Sequence, residues 1–222
     1  CCSLPLPIVC TGRPARAACR GACDPALRPF ALYPLLGCTA TIPLLLAYKI
    51  MPAVYSPEFA IKYAEAADSM RLRAPYHLAI NTGMNRIGVR WDEVVNFMHQ
   101  IGFHRALELE GVFTHFATAD CPETLDFHIQ AKRYIEAVEA LRAAGINPGI
   151  VHCANSAAAI RYPDVRFALV RLGLGPSGSQ PCPETPPPTQ LPPALRVHPP
   201  LHDTHTVPLR TDVRSGLQHP TP

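Results

Sequence analysis

Alternating short apolar strands and amphipathic helices from about residue 50 to 174 predict an α/β chain with a parallel sheet and helical crossovers. An open doubly wound sheet and a (β/α)8 barrel both satisfy that alternation. Polar residues separate the two, because they gather just after successive strands: Asn81-Thr82-Gly83-Met84, Thr114-His115, His152 to Ser156, and Arg171. In a barrel those strand ends converge on one face and build one site. A whole barrel takes about 250 residues, and only about five strand–helix units are visible in these 222 residues. The expected fold is therefore a partial (β/α)8 TIM barrel with unlike flanks.

The elements follow in order. Ile50 to Tyr55 is a short apolar strand. Ser56-Pro57-Glu58 supplies a cap, a first-turn proline and an acid, a strong helix start. Phe59, Tyr63, Ala66/Ala67 and Met70 recur at three to four residues and give that helix one buried face. Tyr76 to Asn81 reads as a strand, and Trp91 to Ile101 as a helix with Val94, Phe97/Met98 and Ile101 inward. Leu107 to Phe116 is the next strand. Asp126 to Ala144 is the longest helix, with Ala131, Tyr134/Ile135, Val138 and Leu141 on its stripe and Gly145 as its stop. Ile150 to Ala154 (strand), Ser156 to Tyr162 (helix) and Phe167 to Leu174 (strand) complete the series.

Composition divides the chain into residues 1–36, 37–175 and 176–222. The first 48 residues hold six of nine cysteines, four arginines and one acid, whereas residues 49–175 carry 13 basic and 13 acidic residues. The whole net charge of +3 thus sits in the head, too small a surplus for a nucleic-acid binder. No charged start followed by an apolar core and a small-residue cleavage site marks a signal peptide, and the scattered Cys121, Cys153 and Cys182 fit reduced thiols, so a cytoplasmic protein is expected. Cys19 and Cys23 lack a second pair at metal spacing, and no metal site is expected. Residues 29–48 are uncharged and long enough to span a bilayer, but Pro29, Pro34, Gly37 and Pro43 interrupt them. A buried strand–turn–helix is the better reading, with no membrane partner. Residues 176–222 hold 13 of the 26 prolines and no apolar periodicity, which predicts an extended, disordered tail.

A G-x-G-x-x-G does occur at Gly173 to Gly178, but it runs into a proline-rich stretch instead of opening a helix, and no phosphate loop ending in G-K-[ST] is present, so nucleotide folds have no support. Instead HLAINTGMNRIGV (His77 to Val89), EGVFTHFATAD (Glu110 to Asp120), HCANSAAAI (His152 to Ile160) and VRLGL (Val170 to Leu174) resemble four successive blocks of alanine racemase, in that family's order and approximate spacing. The resemblance covers about residues 37–175. It implies an N-terminal barrel that holds pyridoxal phosphate, a C-terminal β domain, and a head-to-tail homodimer with shared sites. It also implies interconversion of L- and D-alanine, the source of D-alanine for peptidoglycan. In that family a barrel lysine anchors the cofactor, and that lysine and a tyrosine of the partner's β domain exchange the α-proton.

Residue by residue, the resemblance makes Arg86 the arginine that holds the substrate carboxylate, a task suited to a two-pronged guanidinium. Arg171 matches the arginine facing the pyridine nitrogen, and His152 the histidine bonded to that arginine. His115 matches the histidine beside the cofactor ring. Ser156 matches a phosphate ligand, and it opens a helix where free N–H groups attract an anion. Asn155 beside it caps that helix, which is compatible with phosphate binding. Gly173 and Leu174 match the backbone donors that complete the phosphate cradle.

Departures from the family pattern bear on activity. No motif of the K-A-N-A-Y-G-H-G type occurs, and the three lysines are Lys49, Lys62 and Lys132. The β domain and its tyrosine are not found after Leu174. Ala79 stands where a lysine that steadies the arginine is common, and Asn81 where aspartate is usual. Reading-frame changes flanking a genuine racemase segment would account for the abrupt loss of resemblance at both ends. The chain alone is therefore expected to be inactive, and the alternative reading is a non-catalytic pyridoxal-phosphate-binding barrel remnant.

Overall fold

The computed structural model describes residues 8–10, 39–121 and 125–173. Strand β1 (Ile8–Cys10) is followed by a 3₁₀ turn (Thr39–Thr41), α1 (Ile42–Ala47), β2 (Ala53–Val54), α2 (Pro57–Ser69), β3 (Ala74–Asn81) and β4 (Val89–Arg90). Then come α3 (Val94–Ile101), β5 (Leu107–Phe113), α4 (Leu125–Ala143), β6 (Ile150–His152), α5 (Ser156–Arg161), a 3₁₀ turn (Pro163–Val165) and β7 (Val170–Leu172). All strand pairings are parallel. The central arc runs β2-β3-β5-β6, with β4 on the end of β3. Two backbone bonds, Ala168 N–H to Val151 O at 3.3 Å and Arg171 N–H to Ala154 O at 2.9 Å, bring β7 alongside β6. β7 in turn pairs with β1, Ile8 opposite Val170, an element the sequence of the head did not announce.

Successive residues of a strand face opposite ways, and β3 uses this to divide the molecule. Tyr76, Leu78 and Ile80 join the large core under the helices, with Tyr63, Phe97, Ile101, Tyr134 and Leu141. His77 and Ala79 face the other side, where Ala79 packs with Ala53 and Phe113. Cross-strand partners share a face, so His77 beside Gly111 and Phe113 beside His152 extend this inner surface across the arc. The helical shell is held by the expected devices. Ser56 caps α2 by accepting from Phe59 N–H at 3.3 Å, and its hydroxyl donates to the Glu58 carboxylate. Gly145, at φ +76, ends the turn after α4.

Several boundaries differ from the sequence reading, each for a local reason. The first core strand contracts to Ala53–Val54, and β3 starts two residues early at Ala74. Helix α3 begins at Val94 rather than Trp91, because Trp91 N–H bonds back to Asn81 O at 3.1 Å and fixes the chain as a turn. β5 stops at Phe113 instead of Phe116, where the Thr114 hydroxyl donates to Ile80 O at 2.8 Å and leaves the ladder. β6 ends at His152, and α5 at Arg161. Phe167 takes φ +40, a turn conformation, so β7 begins only at Val170.

Two helical faces are also corrected. Met70 lies past the end of α2 and is exposed. On α4 the buried stripe is Phe127, Gln130, Tyr134, Ala137, Val138 and Leu141, while Ile135 faces solvent. The stripe therefore includes a glutamine. The expected helix within residues 29–48 is α1, with Ile42, Leu45 and Leu46 buried. The strand before it and the proline-rich tail lie outside the described residues. No helix among the described residues is long and apolar enough to cross a membrane.

Candidate functional site

The polar ends of β3, β5, β6 and β7 surround a cleft of about 410 Å³, and Arg86, His115, Asn155, Ser156, Arg171 and Gly173 all line it. His152 sits behind Arg171 rather than in the wall. Leu174 lies outside the described residues. Six of the eight residues singled out from sequence thus meet at one place, and a seventh supports them.

Arg171 is the buried centre of the site, with 7% of its surface exposed. Its Nη1 lies 2.8 Å from His152 Nδ1 and also donates to His152 O at 3.4 Å. Its Nη2 donates to Thr114 O at 2.7 Å and Cys153 O at 3.2 Å. The guanidinium also lies 5.2 Å over the Phe113 ring. Burial lowers its pKa to about 10, which leaves it cationic at neutral pH. All four bonds use the Nη atoms, so Nε remains for a group in the cleft.

Burial, with that fixed charge second, sets the state of the histidines around it. Burial first, then the Arg171 and Arg86 charges, push the His115 ring down to about 4. Burial and Arg171 likewise bring His77 down to about 4 and hold His152 well below the ordinary histidine value. All three rings are neutral at pH 7. The neighbouring Cys153 thiol is pushed up to about 12 by burial, so it is a packed thiol rather than a nucleophile.

Another part of the cleft wall is formed where α5 begins. Ser156 Oγ accepts from Gly173 N–H at 2.9 Å, so the two groups expected at one phosphate converge on one spot. A Cβ built on Gly173 would meet nothing within 4 Å, and the cradle is open there. Asn155 caps α5 by accepting from Ala158 N–H at 2.9 Å and donates to Phe116 O at 3.4 Å. Both ends of its amide are committed to holding the loop.

Arg86 rides on the loop between β3 and β4. Asn81 Oδ1 accepts from Gly83 N–H and Asn85 N–H, each at 3.1 Å, which rolls the loop into a turn. Gly88, at φ +118, allows the return, since a Cβ there would lie 2.6 Å from Asn81 N. Arg86 is exposed and makes no hydrogen bond or ion pair with any described residue. With Ala79 in the wall, no side chain reaches across from β3 to steady it.

Sequence reasoning missed the brace under this site. Gln130 of α4 donates to Thr82 Oγ1 at 3.0 Å and His115 O at 3.2 Å, and accepts from Ala117 N–H at 3.0 Å. Thr82 and Thr114 hydroxyls meet at 2.8 Å, and Arg133 donates to Thr82 O at 3.0 Å. A polar residue at an apolar helical position was the available signal.

The lining carries two guanidinium groups, a neutral imidazole, a serine and a backbone donor, with Asp120 its one acid among the described residues. Such a set gives the strand-end face of the sheet a predominantly cationic, hydrogen-bond-donating cleft. The chain matches the family described as "Alanine racemase, N-terminal domain" over residues 31–181 and belongs to that family. Curated alanine racemases are similar to it. That of Desulfovibrio desulfuricans is 35% identical over 167 residues, covering 75% of this chain and 45% of the relative. That of Treponema denticola is 38% identical over 145 residues, covering 64% and 38%. Among solved structures, alanine racemase from Bacillus anthracis with bound L-Ala-P superposes with a TM-score of 0.72 at 29% identity, covering 96% of this chain and 55% of that one. A Clostridium difficile alanine racemase complex with cycloserine gives 0.66 at 34% identity, covering 70% and 43%. The chain thus spans less than half the length of those two curated relatives.

Proposed function

We propose that this chain carries the cofactor- and substrate-binding half of an alanine racemase, and that interconversion of L- and D-alanine needs a lysine and a tyrosine that these 222 residues do not supply. One observation carries the reading: Arg171, Ser156, Gly173, His115 and Arg86 share a single cleft, while none of Lys49, Lys62 and Lys132 lines it. All three lysines are exposed on the helical side of the molecule or its loops.

Pyridoxal phosphate, when bound, supplies an electron sink that acidifies the α-proton of the amino acid. The chain's own residues bind and orient. Ser156 Oγ and Gly173 N–H hold the phosphate at the start of α5. Arg171 presents Nε, a group that only donates, so a ring nitrogen placed against it accepts a hydrogen bond and carries no proton. His115, neutral at pH 7, packs beside the ring without adding charge. Arg86 takes the substrate carboxylate through both prongs of its guanidinium. The homodimer belongs to the same reading, but the tyrosine that the family takes from the partner's β domain is not among these 222 residues, so a second copy of this chain would not complete the site.

Titration of the full chain with pyridoxal phosphate, followed by absorbance, tests the proposal. Saturable binding is expected, weakened roughly tenfold in Ser156→Ala, which loses one charge-assisted bond. Borohydride treatment leaves no covalent adduct, and racemisation of alanine stays at background. An adduct on Lys49, Lys62 or Lys132 with turnover of alanine sinks the reading, as does the lack of any saturable binding.

A further inference from the structure

We propose that His77 is a positioning residue: by accepting the Nε2–H of His152 it fixes the tautomer whose bare Nδ1 receives Arg171, and so aims the guanidinium at the cleft. His77 Nδ1 lies 2.8 Å from His152 Nε2, and His152 Nδ1 lies 2.8 Å from Arg171 Nη1. Donor and acceptor roles along this row follow from chemistry. A guanidinium only donates, so His152 Nδ1 must accept. A neutral imidazole then has its one proton on Nε2, which points at His77 Nδ1. His77 therefore accepts as well and carries its own proton on Nε2.

The other assignments fail. Were His77 to donate to His152 Nε2, both nitrogens of His152 would accept, which requires an imidazolate. Protonating either ring would bury a second cation against Arg171. Both rings have 0% of their surface exposed, so water cannot moderate that cost. Burial and the Arg171 charge depress both rings' proton affinity, in agreement with neutral forms.

The fold makes room for this row. A Cβ on Gly111 would lie 2.7 Å from His77 Cε1 and 2.8 Å from its Nδ1. The β3–β5 register shifts between Tyr76 and His77, setting the ring opposite that glycine. Arg171's other acceptors are backbone carbonyls, which keep one polarity whatever surrounds them. Only the His152 contact can be inverted, by a change of tautomer. His77, on β3, thus controls through β6 a side chain on β7.

The tautomer follows from this chain's own geometry, while its effect on pyridoxal phosphate rests on the function proposed above. Nitrogen-15 ring spectra of the full chain at neutral pH test the first part. His77 and His152 are expected to show protonated Nε2 and bare Nδ1. His77→Phe keeps the shape and removes the acceptor, and His152 should lose its single tautomer. His77→Asn, whose Oδ1 sits near the place of Nδ1, should keep it. A protonated Nδ1 on His152, or the same His152 spectrum in His77→Phe, overturns the proposal, even if melting temperatures fall. For the second part, His77→Phe should bind pyridoxal phosphate roughly tenfold more weakly, as loss of an outer partner does elsewhere, with His77→Asn close to the unsubstituted chain. Equal affinity in all three overturns the positioning role. A chain that shows the expected tautomer but binds no pyridoxal phosphate leaves the inference standing and removes the functional reading instead.

Discussion

Glycines in this protein differ sharply in what they permit. At Gly111 an added Cβ would press within 2.7 Å of both Ile150 O and the His77 ring. At Gly173, in the wall of the cleft, it would meet open space. Gly111→Ala must therefore push apart two paired strands and tilt a buried ring, an overpacking cost of about 1–3 kcal/mol. Gly173→Ala should stay within about 0.5 kcal/mol of the unsubstituted chain. Urea denaturation of the two variants checks this, and equal midpoints would show that β5 yields where the structure says it cannot. Asn81 illustrates how a departure from the family pattern can be absorbed. Its amide oxygen accepts the two loop N–H groups. The loop keeps its shape, while Ala79 provides no polar group for Arg86.

Elements were legible from sequence to the extent that their ends were decided locally. Ser56-Pro57-Glu58 announces α2, Gly145 stops α4, and the structure agrees at both places. β5 was read too long because its end is set by Thr114 bonding to Ile80 on another strand, a contact no local pattern reveals. β1 was invisible because its pairing partner β7 lies some 160 residues away. Gathering of the site residues was foreseeable from one rule, polar groups at strand ends. Gln130 was not, because helical periodicity marks its position as buried without saying what it binds. Replacing Gln130 with Ala leaves the Ala117 N–H and His115 C=O without their partner, an expected loss of about 1–3 kcal/mol. Amide exchange at Ala117 should speed up in that variant while exchange in the middle of β3 follows only the global change. Unaltered protection at Ala117 would mean that the brace is replaceable.

At the scale of the whole molecule, the arc is organised around a buried cation, and this makes its stability depend on pH from the acid side. Burial, and after it the Arg171 charge, keep His77 and His115 neutral down to about 4, whereas the unfolded chain protonates such rings near 6.5. Below 6.5 the unfolded state therefore binds protons that the folded state refuses. Stability is full above that value and falls as pH drops toward 4, where the folded rings begin to protonate too. His77 alone accounts for on the order of 3 kcal/mol across that window. Exposed carboxylates act elsewhere: Glu58, held down by the Ser56 hydroxyl, and Asp92, held down by Arg90, titrate below their ordinary values of 4.5 and 3.8. Denaturation midpoints at pH 7.5, 6, 5 and 4.5 should decline steadily. His77→Asn should flatten the decline, since it removes one refused proton and keeps the acceptor for His152. A midpoint that stays constant from 7.5 to 5 would mean that these rings are hydrated in solution, and the cleft would then lack the dry floor on which Arg171's orientation depends.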